Sequence, residues 1–159
     1  MVISEPGKPN YSIPKVYRMI SLLPTLSKVI EHVILARLTV FAPKILSPYQ
    51  FGSRKKYSAL DAVHLLLETA THAAQYEKFT SALFLNVMGA FDKVLHGRIA
   101  TIMTSAEFLP YLVDWVQSCL CRQSIRITDG AASENQFTHV AVGIKQGSPL
   151  SPFLFNVYS

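Results

Sequence analysis

The chain has 159 residues, half of them hydrophobic and 16% charged, with a net charge of +5 and a sequence pI near 9.3. That is enough for one domain with a packed core and too little for two, and it excludes a disordered chain, which needs low hydrophobicity and high charge. The positive balance suits a polyanionic partner, no apolar run approaches the ~20 residues that span a bilayer, and no basic-then-apolar leader opens the chain.

Residues 1–24 carry Pro6, Pro9, Pro14 and Pro24, so the chain enters as loop and extended segments, with a short apolar piece at Met19–Leu23. From Leu26 the apolar positions Val29, Ile30, Val33, Ile34 and Leu38 recur at helical spacing. They predict a helix of roughly 15 residues that ends before Pro43. The segment LSPYQFGSRKKYS has turn chemistry. Ser58 and Asp61 then resemble a capping box, with Asp in the Glu/Gln place, and open a second helix through about Gln75. Leu60, Val63, Leu67, Ala70 and Ala74 form its predicted buried stripe.

Thr80–Val87 is a nearly continuous apolar run, the pattern of a strand buried on both faces, and Gly89 breaks it. Helices follow near Arg98–Ser105 and Leu109–Leu120. Two strands, Ser124–Thr128 and Phe137–Val142, are joined by the polar turn DGAASEN, which is a hairpin signal. Cys119 and Cys121 point different ways on a helix and read as reduced core thiols of an intracellular protein. The last segment, GIKQGSPLSPFLFNVYS, is a turn running into an apolar helix with Pro152 near its start. This order predicts an α+β domain with a small, mainly antiparallel sheet packed by helices.

Three segments hold side chains suited to chemistry. In SALFLNVMGAFDKV an apolar run delivers Asn86 at its end, and Asp92 follows six residues on, beyond a Gly-containing turn. Strand ends that carry catalytic carboxylates have this form, but the residues alone favour the simpler reading of Asn86 as a strand terminus and Asp92 as a helix cap. In GIKQGSPLSP the Gly and Ser residues let backbone approach a ligand or another chain closely, and Gln146 offers an amide at the tip. An ordinary strand-to-helix turn has the same composition. In KPNYSIPKVYRMISLL, Lys8, Lys15 and Arg18 interleave with Tyr11 and Tyr17. That suits phosphate contact with base or ribose stacking, and equally a solvated basic loop. The histidines show no metal-ligand spacing: His64 and His72 share a helix face but stand ~12 Å apart by helical rise, too far to share an ion. No Walker phosphate loop, nucleophile elbow or Cys/His zinc pattern occurs in the sequence.

The order of the blocks is more specific than any one of them. KPNYSIPKVYRMISLLPTLSKVIEHVILARL, QFGSRKKYSALDAV, SALFLNVMGAFDKV and GIKQGSPLSPFLFNVY run from Lys8 to Tyr158. In sequence they resemble the consecutive blocks of reverse transcriptases from non-LTR (LINE-type) retrotransposons, with fungal-type members looking closest. The resemblance implies a right-hand polymerase fold, with residues 1–79 fingers-like and residues 80–159 a partial palm. It implies an RNA template, a DNA primer and deoxynucleoside triphosphates as partners, no membrane, and an intracellular, nuclear setting.

Residue by residue, Arg18 matches the fingers arginine that contacts the incoming triphosphate, and Gln146 matches the fourth-block glutamine beside the incoming nucleotide. Phe91 matches the aromatic steric gate that excludes a 2′-hydroxyl, and Gly147 keeps the fourth-block turn open. The family uses two Mg²⁺ ions, one to activate the 3′-hydroxyl and one to steady the triphosphate. Three Asp hold them, because Mg²⁺ prefers anionic oxygen ligands.

The departures from the family bear on activity. Asn86 stands where the family has its first metal-binding Asp; its amide keeps an oxygen but brings no charge, which argues against Mg²⁺ binding here. The family's Tyr/Phe-Ala-Asp-Asp hairpin and its thumb do not occur within the 159 residues, so the palm reads as incomplete. Met19 and Lys145 replace residues that are usually Pro. The expectation is a retrotransposon reverse transcriptase fragment that does not polymerise, with a non-catalytic nucleic-acid-binding remnant as the alternative. The strand at Ala82–Val87, lacking neighbours, is further expected to leave the chain poorly soluble.

Overall fold

The computed structural model describes residues 2–7, 9–13, 16–125, 138–139 and 141–159. The chain opens with strand β1 (Val2–Ser4), which pairs antiparallel with β2 (Tyr17–Met19) in the register Ile3↔Arg18. The sequence reads this segment as loop and extended pieces without pairing them; three residues per strand are too few to show an alternation. Tyrosine hydroxyls tie the hairpin together, Tyr17 donating to the Tyr11 carbonyl at 2.9 Å and Tyr11 to the Glu5 carbonyl at 3.1 Å.

Helix α1 (Thr25–Thr39) has the predicted length and starts after extended Pro24. Of the apolar positions marked at helical spacing, only Ile34 and Leu38 lie on its buried face. Leu26, Val29, Ile30 and Val33 are exposed, and the helix packs through Glu31, Ile34, Leu35 and Leu38. Those four follow the i, i+3, i+4, i+7 pattern of one helical face. Pro43 does not merely end a helix: it sits in the first turn of the short α2 (Ala42–Ile45), where its missing N–H is no loss.

Helix α3 (Ala59–Gln75) opens on the predicted capping box, Asp61 N–H donating to Ser58 Oγ at 3.3 Å and Ser58 N–H to Asp61 Oδ2 at 2.6 Å. Hydrogen bonds from the Ser58 side chain and backbone hold the Asp61 carboxyl below its ordinary range. The predicted burial of its apolar stripe is not found: α3 has no buried residue, and Leu60 is 68% exposed. The capping box supplies a local reason for the helix to form, and among the described residues none of its side chains is buried.

A larger correction concerns Thr80–Val87. Residues 78–87 form no strand, and the run is exposed throughout, with Phe79 at 100% and Phe84 at 83%. An isolated apolar strand needs paired edges on both sides, and neither two-stranded sheet pairs with it.

The core lies in the second half. Helices α4 (His96–Ser105), α5 (Pro110–Cys121) and α6 (Ser151–Tyr158) pack together. Val94, Ile99, Met103, Leu112 and Leu154 are all but fully buried there, each contributing roughly 1.5–3 kcal/mol by removal from water. Leu38, Ala42 and Leu46 bring α1 and α2 onto this core, and Phe41 stacks on Phe108 with ring centroids 4.9 Å apart. Strands β3 (Ser124–Ile125) and β4 (Thr138–His139) form the predicted antiparallel hairpin, whose turn lies outside the described residues. Cys119 is half-buried, as expected of a core thiol, whereas Cys121 is exposed. The whole is helix-rich with small antiparallel sheets, in line with the α+β expectation.

Candidate functional site

The segment 141–150 is the structural hub. Val142 bridges to Leu95, Gly143 N–H donates to Val94 O at 2.8 Å, and Ile144 N–H donates to Phe91 O at 2.9 Å. The buried His96 reaches the Gly143 carbonyl through Nε2 at 2.6 Å; a carbonyl only accepts, so Nε2 carries the hydrogen. These bonds lay the fourth block against the turn that holds Phe91 and Asp92.

At the tip, Gln146 works through both its backbone and its side chain. Its carbonyl accepts from Ser21 N–H at 2.7 Å, and its amide Nε2 donates to Asp92 Oδ1 at 3.3 Å. Gly147 has φ +105°, and a Cβ there would stand 2.9 Å from the Ser21 carbonyl oxygen. Only glycine lets the segment after β2 approach this closely.

Behind the tip, Ser148 Oγ donates to Glu31 Oε2 at 2.5 Å. Ser148 Oγ also accepts from Leu150 N–H at 3.1 Å, and Ser151 Oγ donates to the Lys145 carbonyl at 2.7 Å. Glu31 is 5% exposed, so a carboxylate on α1 is buried in order to hold this turn. Burial pushes the nearby Cys119 thiol above its ordinary range, Lys145 opposing the shift and Glu31 adding to it.

The structure thus brings Phe91, Asp92, Gln146 and Gly147 together with Ser21. Phe91 is half-buried, its ring edge-on to Phe155 with centroids 5.6 Å apart. Arg18 stands on β2, three residues before Ser21, with Nε 2.6 Å from Glu5 Oε1. Tyr11, Tyr17 and Arg18 are exposed as the sequence suggested; Lys8 and Lys15 lie outside the described residues. Asn86 sits on the exposed stretch 78–87, and among the described residues no hydrogen bond ties it to the hub. Met19, on β2, is exposed, and Lys145, in the turn, is half-buried.

Glu31 and His96 escaped the sequence reading. The spacing Glu31, Ile34, Leu35, Leu38 is the signal that places Glu31 on the buried face of α1. His96 carries no comparable signal.

Magnesium fits poorly with what is present. Asn86 offers a neutral oxygen, Asp92 faces Gln146, and among the described residues no group of three or more His, Cys, Asp or Glu could hold an ion. No helix among them is long and apolar enough to cross a membrane.

Residues 6–159 match the family described as reverse transcriptase (RNA-dependent DNA polymerase). The chain is 32% identical over 163 residues to the probable RNA-directed DNA polymerase from transposon X-element of Drosophila melanogaster, covering 99% of this chain and 17% of that protein. It is 31% identical over 164 residues to the corresponding protein of transposon BS of Drosophila melanogaster, covering 100% of this chain and 17% of the relative. The polymerase from mobile element jockey of Drosophila funebris is 29% identical over 164 residues, with the same 100% and 17% coverage. The expected closeness to fungal-type members has no counterpart among these relatives. The chain therefore spans about a sixth of their length. No solved structure matches the chain.

Proposed function

The chain belongs to the reverse transcriptase (RNA-dependent DNA polymerase) family, of the non-LTR retrotransposon kind, and from that premise we propose that it holds nucleotide and nucleic acid but does not join them. In this reading residues 1–79 are fingers-like and residues 80–159 a partial palm. The observation that carries it is the hub itself: Gln146 of the fourth block bonds Ser21 of the first at 2.7 Å and Asp92 of the third at 3.3 Å, Ile144 bonds the Phe91 carbonyl at 2.9 Å, and Gly147 lies against Ser21.

Each side chain then has a task. Arg18, two-thirds exposed, takes the triphosphate by charge-assisted hydrogen bonds. The Gln146 amide, oriented by Asp92, lies against the nucleotide, and Gly147 keeps backbone out of its way. Phe91, fixed by Phe155, sets the floor against which a 2′-hydroxyl would collide.

The family's reaction uses Mg²⁺, which would lower the pKa of a primer 3′-hydroxyl and neutralise the triphosphate. Asn86 stands where a carboxylate is needed to hold that ion. Loss of one such charge from a site of this kind reduces the rate on the order of a thousandfold. The expected result is that the purified chain, given Mg²⁺, an RNA template and a DNA primer, extends no primer. Measurable templated synthesis would overturn the reading.

A nucleic-acid-binding remnant that keeps no nucleotide site is the second reading, favoured by the net charge of +5 and by exposed Arg18, Tyr11 and Tyr17 on one hairpin. Phosphate contacts release counterions, so such binding weakens steeply with salt. Filter binding of single-stranded RNA against salt tests it, and no retention at low salt eliminates it. The nuclear setting is proposed on family membership alone and is tested by locating the tagged chain in cells; a purely cytoplasmic signal opposes it.

A further inference from the structure

Arg18 meets a carboxylate of its own chain at the place where the proposed function brings a triphosphate. Its Nε lies 2.6 Å from Glu5 Oε1, and the Arg18 side chain is 66% exposed while that of Glu5 is 23% exposed. Most surface ion pairs are loose and contribute little. The backbone carrying this one is fixed. Glu5 N–H donates to Val16 O at 2.8 Å, the Glu5 carbonyl accepts from Tyr11 OH, and Ile3 pairs with Arg18 across the hairpin. The carboxylate is therefore delivered to the Nε edge of the guanidinium, while the arginine side chain as a whole stays two-thirds exposed.

We propose that Glu5 is a built-in counter-charge to Arg18 that lowers the affinity of this hairpin for polyphosphate ligands, and lowers it more as the ligand carries more charge. The inference rests on the reading that Arg18 receives the triphosphate. A polyphosphate bound at the Nη edge lies within about 7 Å of the Glu5 carboxylate, inside one Debye length at physiological salt. Repulsion between a unit charge and several phosphate charges at that range in watery surroundings reduces binding roughly three- to tenfold.

A competing effect has the opposite sign, because the Nε contact also orients the arginine. Glu5→Gln separates the two. The amide oxygen still accepts from Nε, so orientation is kept while the charge is removed. A role confined to holding the hairpin would give weaker binding, or none, for any replacement.

The test measures binding of dTTP, tripolyphosphate, pyrophosphate and orthophosphate by calorimetry at fixed salt. It uses the chain itself and its Glu5→Gln, Glu5→Lys, Arg18→Ala and Glu5→Gln/Arg18→Ala variants. Glu5→Gln should bind dTTP and tripolyphosphate about three- to tenfold more tightly, with a smaller gain for pyrophosphate and least for orthophosphate. Glu5→Lys should gain further, and the gain from Gln should vanish in the Arg18→Ala background. If Arg18→Ala weakens dTTP binding but Glu5→Gln and Glu5→Lys bind no tighter, the counter-charge is overturned and the role of Arg18 stands. A gain that persists without Arg18, or that is equal for all four ligands, also overturns it. If Arg18→Ala leaves dTTP affinity unchanged, or no variant binds any ligand, the reading of Arg18 falls and the inference with it.

Discussion

Replacing Gly147 by alanine should pull the first block away from the fourth. The residue sits at φ +105°, where an L side chain costs roughly 1–2 kcal/mol. Its Cβ would meet the Ser21 carbonyl oxygen at 2.9 Å and Ile20 Cγ2 at 3.3 Å. The Ser21 oxygen is backbone and cannot rotate aside, so the segment must move and the 2.7 Å bond from Ser21 N–H to Gln146 O is lost. That bond adds about 0.5–1.5 kcal/mol, for a total near 2–3 kcal/mol of local opening. Hydrogen exchange reads this directly: protection of the Ser21 amide should fall roughly thirty- to a hundredfold. Gly97→Ala is the control. Gly97 lies on α4 with open space where its Cβ would stand, so this change should leave Ser21 exchange alone and stabilise the helix by about 0.5–1 kcal/mol. Ser21 protection within twofold of the parent in Gly147→Ala would refute the docking argument.

Other expectations follow from the same structure. Phe84→Lys should leave the thermal transition of the α4–α6 core within about 0.5 kcal/mol of the parent, as for exposed sites generally, and should reduce light scattering. A loss of several kcal/mol would mean that the run 80–87 is buried after all. The lowered pKa of Asp61 adds stability to the start of α3 above its ordinary value of 3.8, and that stability is lost as pH falls through the depressed value. An NMR titration of the Ser58 amide checks it, and a midpoint at or above 3.8 contradicts it. Cys119, whose thiol is pushed up by burial from 9.0, favours the folded state below that value and withdraws the support as pH rises through the raised one. Iodoacetamide at pH 8 should therefore modify exposed Cys121 well before Cys119; equal labelling would count against the burial.

Local signals were the legible ones. The Ser58–Asp61 box placed the start of α3, Pro24 and Pro43 bracketed α1, and the polar turn DGAASEN marked the hairpin whose strands appear at Ser124–Ile125 and Thr138–His139. Burial was much less legible, because periodicity shows where apolar residues lie and not whether anything covers them. The stripe of α3 and the run Thr80–Val87 were assigned to burial and face solvent, while α1 buries only Ile34 and Leu38 of its six marked apolar positions. The site was legible at Gln146 and Gly147, where a compositionally odd turn marked a close approach. Its supports were not, since Glu31 and His96 act across 117 and 47 residues of sequence, a separation no local pattern reports.

The most direct test is a single reaction containing the purified chain, an RNA template, a labelled DNA primer, all four deoxynucleoside triphosphates and Mg²⁺, resolved on native and denaturing gels. A chain that holds its substrates but lacks a carboxylate at Asn86 should shift the primer–template at low salt, release it as salt rises, and leave the primer at its starting length. Primer extended in register with the template would contradict the account.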